Sequence, residues 1–352
     1  MLAGDMLMAV VDEEPIGERI GSLIFWPVLA LLVAVIVWAM IKKSRQGSGA
    51  GGRGSAKRGG GPGRGGGSAK TWTKPEDYRE HHRVVWDEDP ETFAPADLHW
   101  PLAVAAVFGI CGGDPWDRLA FANLEEPRSG LQEAWGIRSR GQLLGRVHWL
   151  LREGHRVGFA EEIGEWGSLD DSEAARLQTQ LRKNAGGEAE EQAWRLRQVR
   201  ANARGIRETR FEAWDLVRAA MLCRAGHSLG WLGEAETVDT LNLLSAQLQR
   251  EYSGWQELGE HFNRARWYWG GNSDLQSKQE DAHDLSRQEA LLDAQRGPWA
   301  HVPWSQRIPD SRLLLVDALV DEELVVEAPF SSETPLATII DRAVAERLGD
   351  RA

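Results

Sequence analysis

The hydrophobic pattern of this chain changes character twice, and the changes predict its parts. From Ile20 to Ile41 run 22 residues without a charge. About 20 apolar residues at a rise of 1.5 Å each span a ~30 Å hydrocarbon core, so the run predicts a transmembrane helix over 20–41. An acidic segment precedes it, and Lys42-Lys43 follows in place of a small-residue cleavage site, which disfavours a signal peptide. Residues 46–70 hold twelve glycines and almost nothing apolar. Such a stretch cannot bury enough surface to offset its ordering entropy, which predicts a linker over 42–71.

From residue 72 to 352 the apolar period is helical. Trp100-Pro101 opens the run LAVAAVFGI, with proline in a first-turn position. Ser139 can cap a helix carrying Leu143, Leu144, Val147, Leu150 and Leu151, ended by Gly154. Further helices are expected from Asp170 or Asp171 and from about Glu188. Val238, Leu241, Ser245, Leu248, Tyr252, Trp255, Leu258 and Phe262 form a stripe at steps of three and four. That spacing is the core face of one long helix, or of a pair broken near Ser253-Gly254. The run RLLLVDALVDEELVVE at 312–327 has strand character and reads as a small hairpin; a last helix should cover Leu336 to Leu348. The expected fold is all-α, with a minor β-hairpin near the C-terminus, preceded by one transmembrane helix.

Charge adds an orientation. Residues 1–19 carry five acids against one base, and residues 42–70 carry eight bases and no acid. Positive flanks stay on the cytoplasmic side. The tail 1–19 should therefore be extracytoplasmic and 72–352 cytoplasmic, at a bacterial inner membrane, with the basic collar lying on anionic lipid. The remainder holds 32 bases and 48 acids within a formal charge of −12 for the whole chain. A body so acidic disfavours nucleic acid as a partner. The arginines at 197, 200, 204 and 207 could line one helix face, but Glu188, Glu190 and Glu191 precede them, which favours a solvated, salt-bridged face.

Candidate chemistry is sparse. Cys111 and Cys223 stand in apolar helical stretches without histidines at ligand spacing, so buried thiols are expected and neither metal nor cofactor is. Gly226-His227-Ser228-Leu229-Gly230 matches the nucleophile elbow G-x-S-x-G, but a helix precedes it where the elbow needs a strand. Glu280-x-x-His283 has the spacing of a di-iron ligand pair, without the second copy such a site requires.

One ordered set of residues has the look of a family. It comprises Trp135-Gly136-Ile137, Gly154-His155-Arg156, Ala213-Trp214-Asp215 with Arg218, Gly230-Trp231-Leu232, Gln249-Arg250-Glu251-Tyr252 with Trp255, Arg266-Trp267 and Pro303-Trp304. From about Trp100 to Trp304 the chain resembles the bacterial domain-of-unknown-function family 1266. The resemblance implies a helical domain with no established activity and supplies no catalytic residues. The residues themselves nominate Trp135, His155, Trp214, Asp215, Arg218, Trp255 and Trp267 as a ligand site or a structural motif. Asp215 and Arg218 lie one turn apart beside Phe211, Trp214 and Met221, so Arg218 could read a carboxylate or phosphate. Alternatively the pair fixes helix packing. His155, just past a helix end, is either a cationic cap or a ligand. Two functions follow: a membrane-tethered helical scaffold for a protein partner, or a ligand sensor or enzyme with a polar pocket around Asp215, Arg218 and His155.

Overall fold

The computed structural model describes residues 73–89, 94–183, 187–271, 274–325 and 334–351. Short 3-10 turns at Pro75–Tyr78 and Ala96–Leu98 lead into α1 (His99–Gly112). Then follow α2 (Glu125–Trp135), α3 (Arg140–Arg152), α4 (Gly154–Ser168), α5 (Asp171–Lys183) and α6 (Gly187–Arg200). A 3-10 turn at Ala203–Glu208 precedes α7 (Glu212–Ser228), α8 (Glu234–Glu251), α9 (Trp255–Gly270) and α10 (Asp274–Leu291). The short α11 (Pro298–His301), α12 (Leu314–Asp321) and α13 (Pro335–Gly349) complete the series.

The expected Ser139 cap forms, its hydroxyl accepting from the Gln142 N–H at 3.3 Å. At the start of α8 the Glu236 carboxylate accepts from the Gly233 N–H at 2.7 Å, a cap not among those expected from the sequence. The long apolar stripe is a broken pair: α8 ends at Glu251, Tyr252 is extended, and α9 begins at Trp255.

The axis of the fold is α7. It packs against α1, α2, α3, α4, α8 and α9, and every residue from Ala213 to Ala220 is buried. A helix surrounded on all sides should be apolar all round, yet α7 carries Asp215, Arg218 and Arg224 inside. Its small residues let neighbours close in; a Cβ on Gly226 would lie 2.2 Å from Leu143 Cδ2. Arg224 is held by backbone, its Nε and NH2 donating to the carbonyls of Arg118 at 2.6 Å and of Pro115 and Leu119 at 3.3 Å, while NH1 has no partner among the described residues. It thereby ties the loop after α1 to the axis. An indole group gathers opposite: Trp255 lies 4.7 Å from Trp100, 4.9 Å from Trp304 and 5.6 Å from Trp299 between ring centroids.

The expected fold class needs correction in two respects. First, 314–321 is helix α12, and no strand occurs among the described residues. A continuous apolar run does not distinguish strand from buried helix. Here Asp239 on α8 accepts from the backbone N–H groups of Arg312 at 2.6 Å and Leu314 at 2.9 Å, which starts the helix. Second, no helix among the described residues is long and apolar enough to cross a membrane. Even α1, uniformly apolar, has 14 residues and a length of only ~21 Å. The segment 20–41, with the tail and linker around it, lies outside the described residues, so the membrane-anchored, single-pass architecture is withdrawn.

The arginine stripe also dissolves. Arg204 and Arg207 belong to the 3-10 turn, Arg200 pairs with Asp171 at 2.8 Å, and Arg207 donates to the Val199 carbonyl at 2.8 Å. Arg195 pairs with Glu191, four residues earlier, at 3.1 Å.

The indole group yields a stability prediction. Trp255 is buried and donates its indole N–H to the Val302 carbonyl at 2.7 Å. Trp255→Ala should lower unfolding free energy by about 3–5 kcal/mol, measured by chemical denaturation.

Candidate functional site

The site begins at a corner. Helix α3 ends at Arg152, and α4 starts two residues later at Gly154, whose φ of +64° reverses the chain. The N-terminus of α4 points at α7, where the buried Asp215 carboxylate meets it. Asp215 Oδ1 accepts from the His155 N–H and Oδ2 from the Arg156 N–H, each at 3.0 Å. Free N–H groups and a positive dipole end stabilise a carboxylate there. Arg156 NH1 adds a charged bond to Oδ2 at 3.2 Å and also donates to the Leu150 carbonyl at 2.7 Å. The approach excludes any side chain at 154, where a Cβ would lie 2.1 Å from Asp215 Oδ2.

Burial alone would raise the Asp215 pKa, but His155 and Arg156 hold it below its ordinary value. Burial, then the Arg218 charge, pulls His155 down to about 4 against the pull of Asp215. The imidazole is thus neutral near pH 7, and its 3.1 Å contact with Asp215 is a hydrogen bond donated by Nδ1–H. Arg156 supplies the counter-charge. Arg218 NH1 crowds the same ring, 3.1 Å from Nδ1 and 3.5 Å from Nε2; with Nδ1 protonated, only Nε2 can accept from it. His155 stands edge-on to Trp149 and Trp269, with centroids 4.8 and 5.0 Å away.

Arg218 is enclosed differently. Its guanidinium lies 4.3 Å from the Trp135 centroid and 4.5 Å from Trp214, and only 4% of the residue is exposed. Among the described residues it makes no ion pair within 4.0 Å. Burial pulls it down to about 9; Asp215 opposes that, and Arg146 adds to it by repulsion. The half-buried Arg146 guanidinium lies 5.1 Å from the Trp149 ring and 6.0 Å from Trp135. Cation–aromatic contacts are worth ~0.5–2 kcal/mol, less than desolvation of a guanidinium costs. The Trp214 indole N–H is buried without an acceptor among the described residues. The cluster therefore has donors and positive charge in excess.

The structure thus unites Trp135, His155, Trp214, Asp215 and Arg218 and separates two other expected members. Trp255 belongs to the indole group at α1 and α11. Trp267 sits under Arg204, 4.2 Å from its guanidinium, and donates to Ser277 Oγ at 2.5 Å. The expected cationic C-cap at His155 is corrected: the residue lies in the first turn of α4 and is neutral. Gly154, Arg156, Arg146, Trp149 and Trp269 complete the cluster. Of these, only Gly154 had a local signal, a glycine where a helix must stop. The nucleophile-elbow serine is occupied in backbone bonding, Ser228 Oγ donating to the Arg224 carbonyl and accepting from Phe121 N–H.

A family model described as a protein of unknown function, DUF1266, matches residues 130–304. The region 130–304 of the chain belongs to this family. Every residue of the cluster falls within the matched region. Relatives in Escherichia coli (strain K12) include the uncharacterized proteins YbeR and YbeU. YbeR is 28% identical over 144 residues, 41% of this chain and 58% of the relative. YbeU is 26% identical over 139 residues, 40% of this chain and 56% of the relative. The match thus spans less than two thirds of either curated relative. No solved structure matches the chain. Membership brings no specific function, since the family and both relatives are described without one.

Two outcomes follow from the corner. Asp215→Ala should cost about 3–5 kcal/mol, because it strands a buried cation and two backbone donors; denaturant midpoints measure this. The pH dependence has a definite sign. His155 takes a proton near its ordinary 6.5 when unfolded but near 4 when folded, so its stabilisation is complete at pH 7. It declines as pH falls below about 6.5 and levels off near 4. His155→Gln should flatten that slope by at most about 1.4 kcal/mol per pH unit.

Proposed function

We propose that this domain is a binding module that takes a small carboxylate- or phosphate-bearing ligand at the indole-walled cationic cluster around Arg218. One observation carries the reading: a guanidinium buried against Trp135 and Trp214, without an ion pair among the described residues, has a second cation, Arg146, 6.0 Å from the same Trp135 ring. Buried arginines are ordinarily matched by carboxylates. An oxyanion with two adjacent oxygens is the acceptor that a planar guanidinium recognises best, and the spare Trp214 N–H is a further donor for it.

The half-buried Arg146, Trp149 and Trp269 form the approach from solvent. Asp215 and His155 then belong to the foundation of the site. Both carboxylate oxygens are engaged by the start of α4, and the imidazole is wedged between two indoles. This disfavours a reaction that uses the His–Asp pair as acid and base. The expectation of a tethered scaffold is not carried forward, because it rested on the anchor.

Titration of the purified protein with inorganic phosphate or citrate at constant ionic strength tests the reading, with tryptophan fluorescence as the signal. A saturable change is expected. Losing one charge-assisted hydrogen bond of ~1.5–3 kcal/mol should weaken affinity by about tenfold or more in Arg146→Gln and Arg218→Gln. Exposed Arg138→Gln should behave as wild type. A folded wild-type protein with no saturable response to either anion would sink the proposal.

A further inference from the structure

A second cluster, remote in sequence from the first, joins three metal-ligating side chains. His82 follows the Pro75–Tyr78 turn, Cys111 is the penultimate residue of α1, and His283 is in the middle of α10. His82 Nε2 and His283 Nε2 face each other at 3.2 Å, with the rings nearly perpendicular. The three residues offer one ligand atom each within 4.8 Å of one another. In a tetrahedral zinc site, bond lengths of ~2.0–2.1 Å to nitrogen place two such nitrogens roughly 3.3 Å apart. The imidazole pair already has that spacing, and the Cys111 Sγ lies within 4.8 Å of both rings' ligand atoms.

The far side of each ring is also arranged. His283 Nδ1 lies 3.4 Å from Asp284 Oδ1, and His82 Nδ1 lies 3.0 Å from Ser286 Oγ. A carboxylate behind an imidazole accepts a hydrogen bond from Nδ1–H and leaves the Nε2 lone pair outward, the usual support of a metal-bound histidine. For His283 this makes Nε2 an acceptor. It then needs either a cation in front of it or a proton from His82, and these two arrangements differ in what they bind.

Around the cluster, Arg266 pairs with Glu280 and with Asp284, and Arg287 bonds Asp284 at 2.9 Å. The His283 side chain is 16% exposed, leaving a way in from solvent.

The geometry points to a zinc-class metal site in which His82, Cys111 and His283 supply three ligands and a solvent molecule takes the fourth position. Two imidazoles and a thiolate suit Zn²⁺ among the common divalent ions. His82 and Cys111 precede the matched residues 130–304, so the site joins the segment before the family region to α10 within it. It is independent of the cluster around Arg218.

The test uses the full chain, stripped with a chelator and titrated with Co²⁺ and then Zn²⁺. One equivalent of cobalt should bind with a thiolate-to-cobalt charge-transfer band, and zinc should displace it. Zinc should also protect Cys111 from alkylation, mapped by mass spectrometry. Cys111→Ser should abolish the band, His283→Ala should weaken binding at least about tenfold, and Ser286→Ala should weaken it by about tenfold. Cys223→Ser should change nothing. Folded wild-type protein that gives no thiolate band and no zinc protection of Cys111 would overturn the site in favour of a plain histidine–histidine hydrogen bond. Binding that survives both Cys111→Ser and His283→Ala would mark the metal as adventitious and overturn it equally.

Discussion

A buried carboxylate in the first turn of a helix with no exposed face is the constraint around which the rest of this domain is arranged. Asp215 is tolerated in α7 because the N-terminus of α4 is aimed at it, offering two backbone N–H groups and the Arg156 guanidinium. That arrangement requires a residue without a side chain at 154, a left-handed turn there and a chain that doubles back from α3. It sets where His155 stands, and so which indoles can flank it. Breaking the bond would leave α4 without its first-turn acceptor and α7 with an uncompensated charge.

The buried arginines show how the domain handles positive charge. Arg224 is compensated by carbonyls, and Arg266 and Arg287 by carboxylates. Arg218 has only indole faces, an imidazole and a more distant Asp215. Desolvation costs each of them alike, so the least compensated is where a ligand has most to offer. This difference, more than a residue motif, locates the candidate site. Arginine suits both uses, since its planar cation stays charged and stacks on aromatic rings.

Several elements were legible because their physics is local. Ser139 begins α3, the 3-4 spacing of Val238 to Phe262 marks the buried faces of α8 and α9, and Glu191 reaches Arg195 along one helix. The run at 312–327 misled because apolar continuity suits strand and buried helix equally. What chose the helix was Asp239, more than seventy residues away in the chain. The anchor expectation rested on hydropathy and flanking charge, and the described helices contain nothing that long and apolar.

For the candidate sites the division is sharper. The sequence by itself placed Asp215 and Arg218 one turn apart on an apolar helix and set Trp135, His155 and Trp214 in the same family-like series, because helical periodicity is a property of neighbours. It could not assign the two charges different fates, one capping a distant helix and the other enclosed by indoles. Nor could it detach Trp255 and Trp267 from that series, or bring His82 to Cys111 and His283. Those outcomes depend on which helix ends and which rings arrive from elsewhere. Burial and counter-charge, which decide ionisation and ligand capacity, exist only once distant segments have packed.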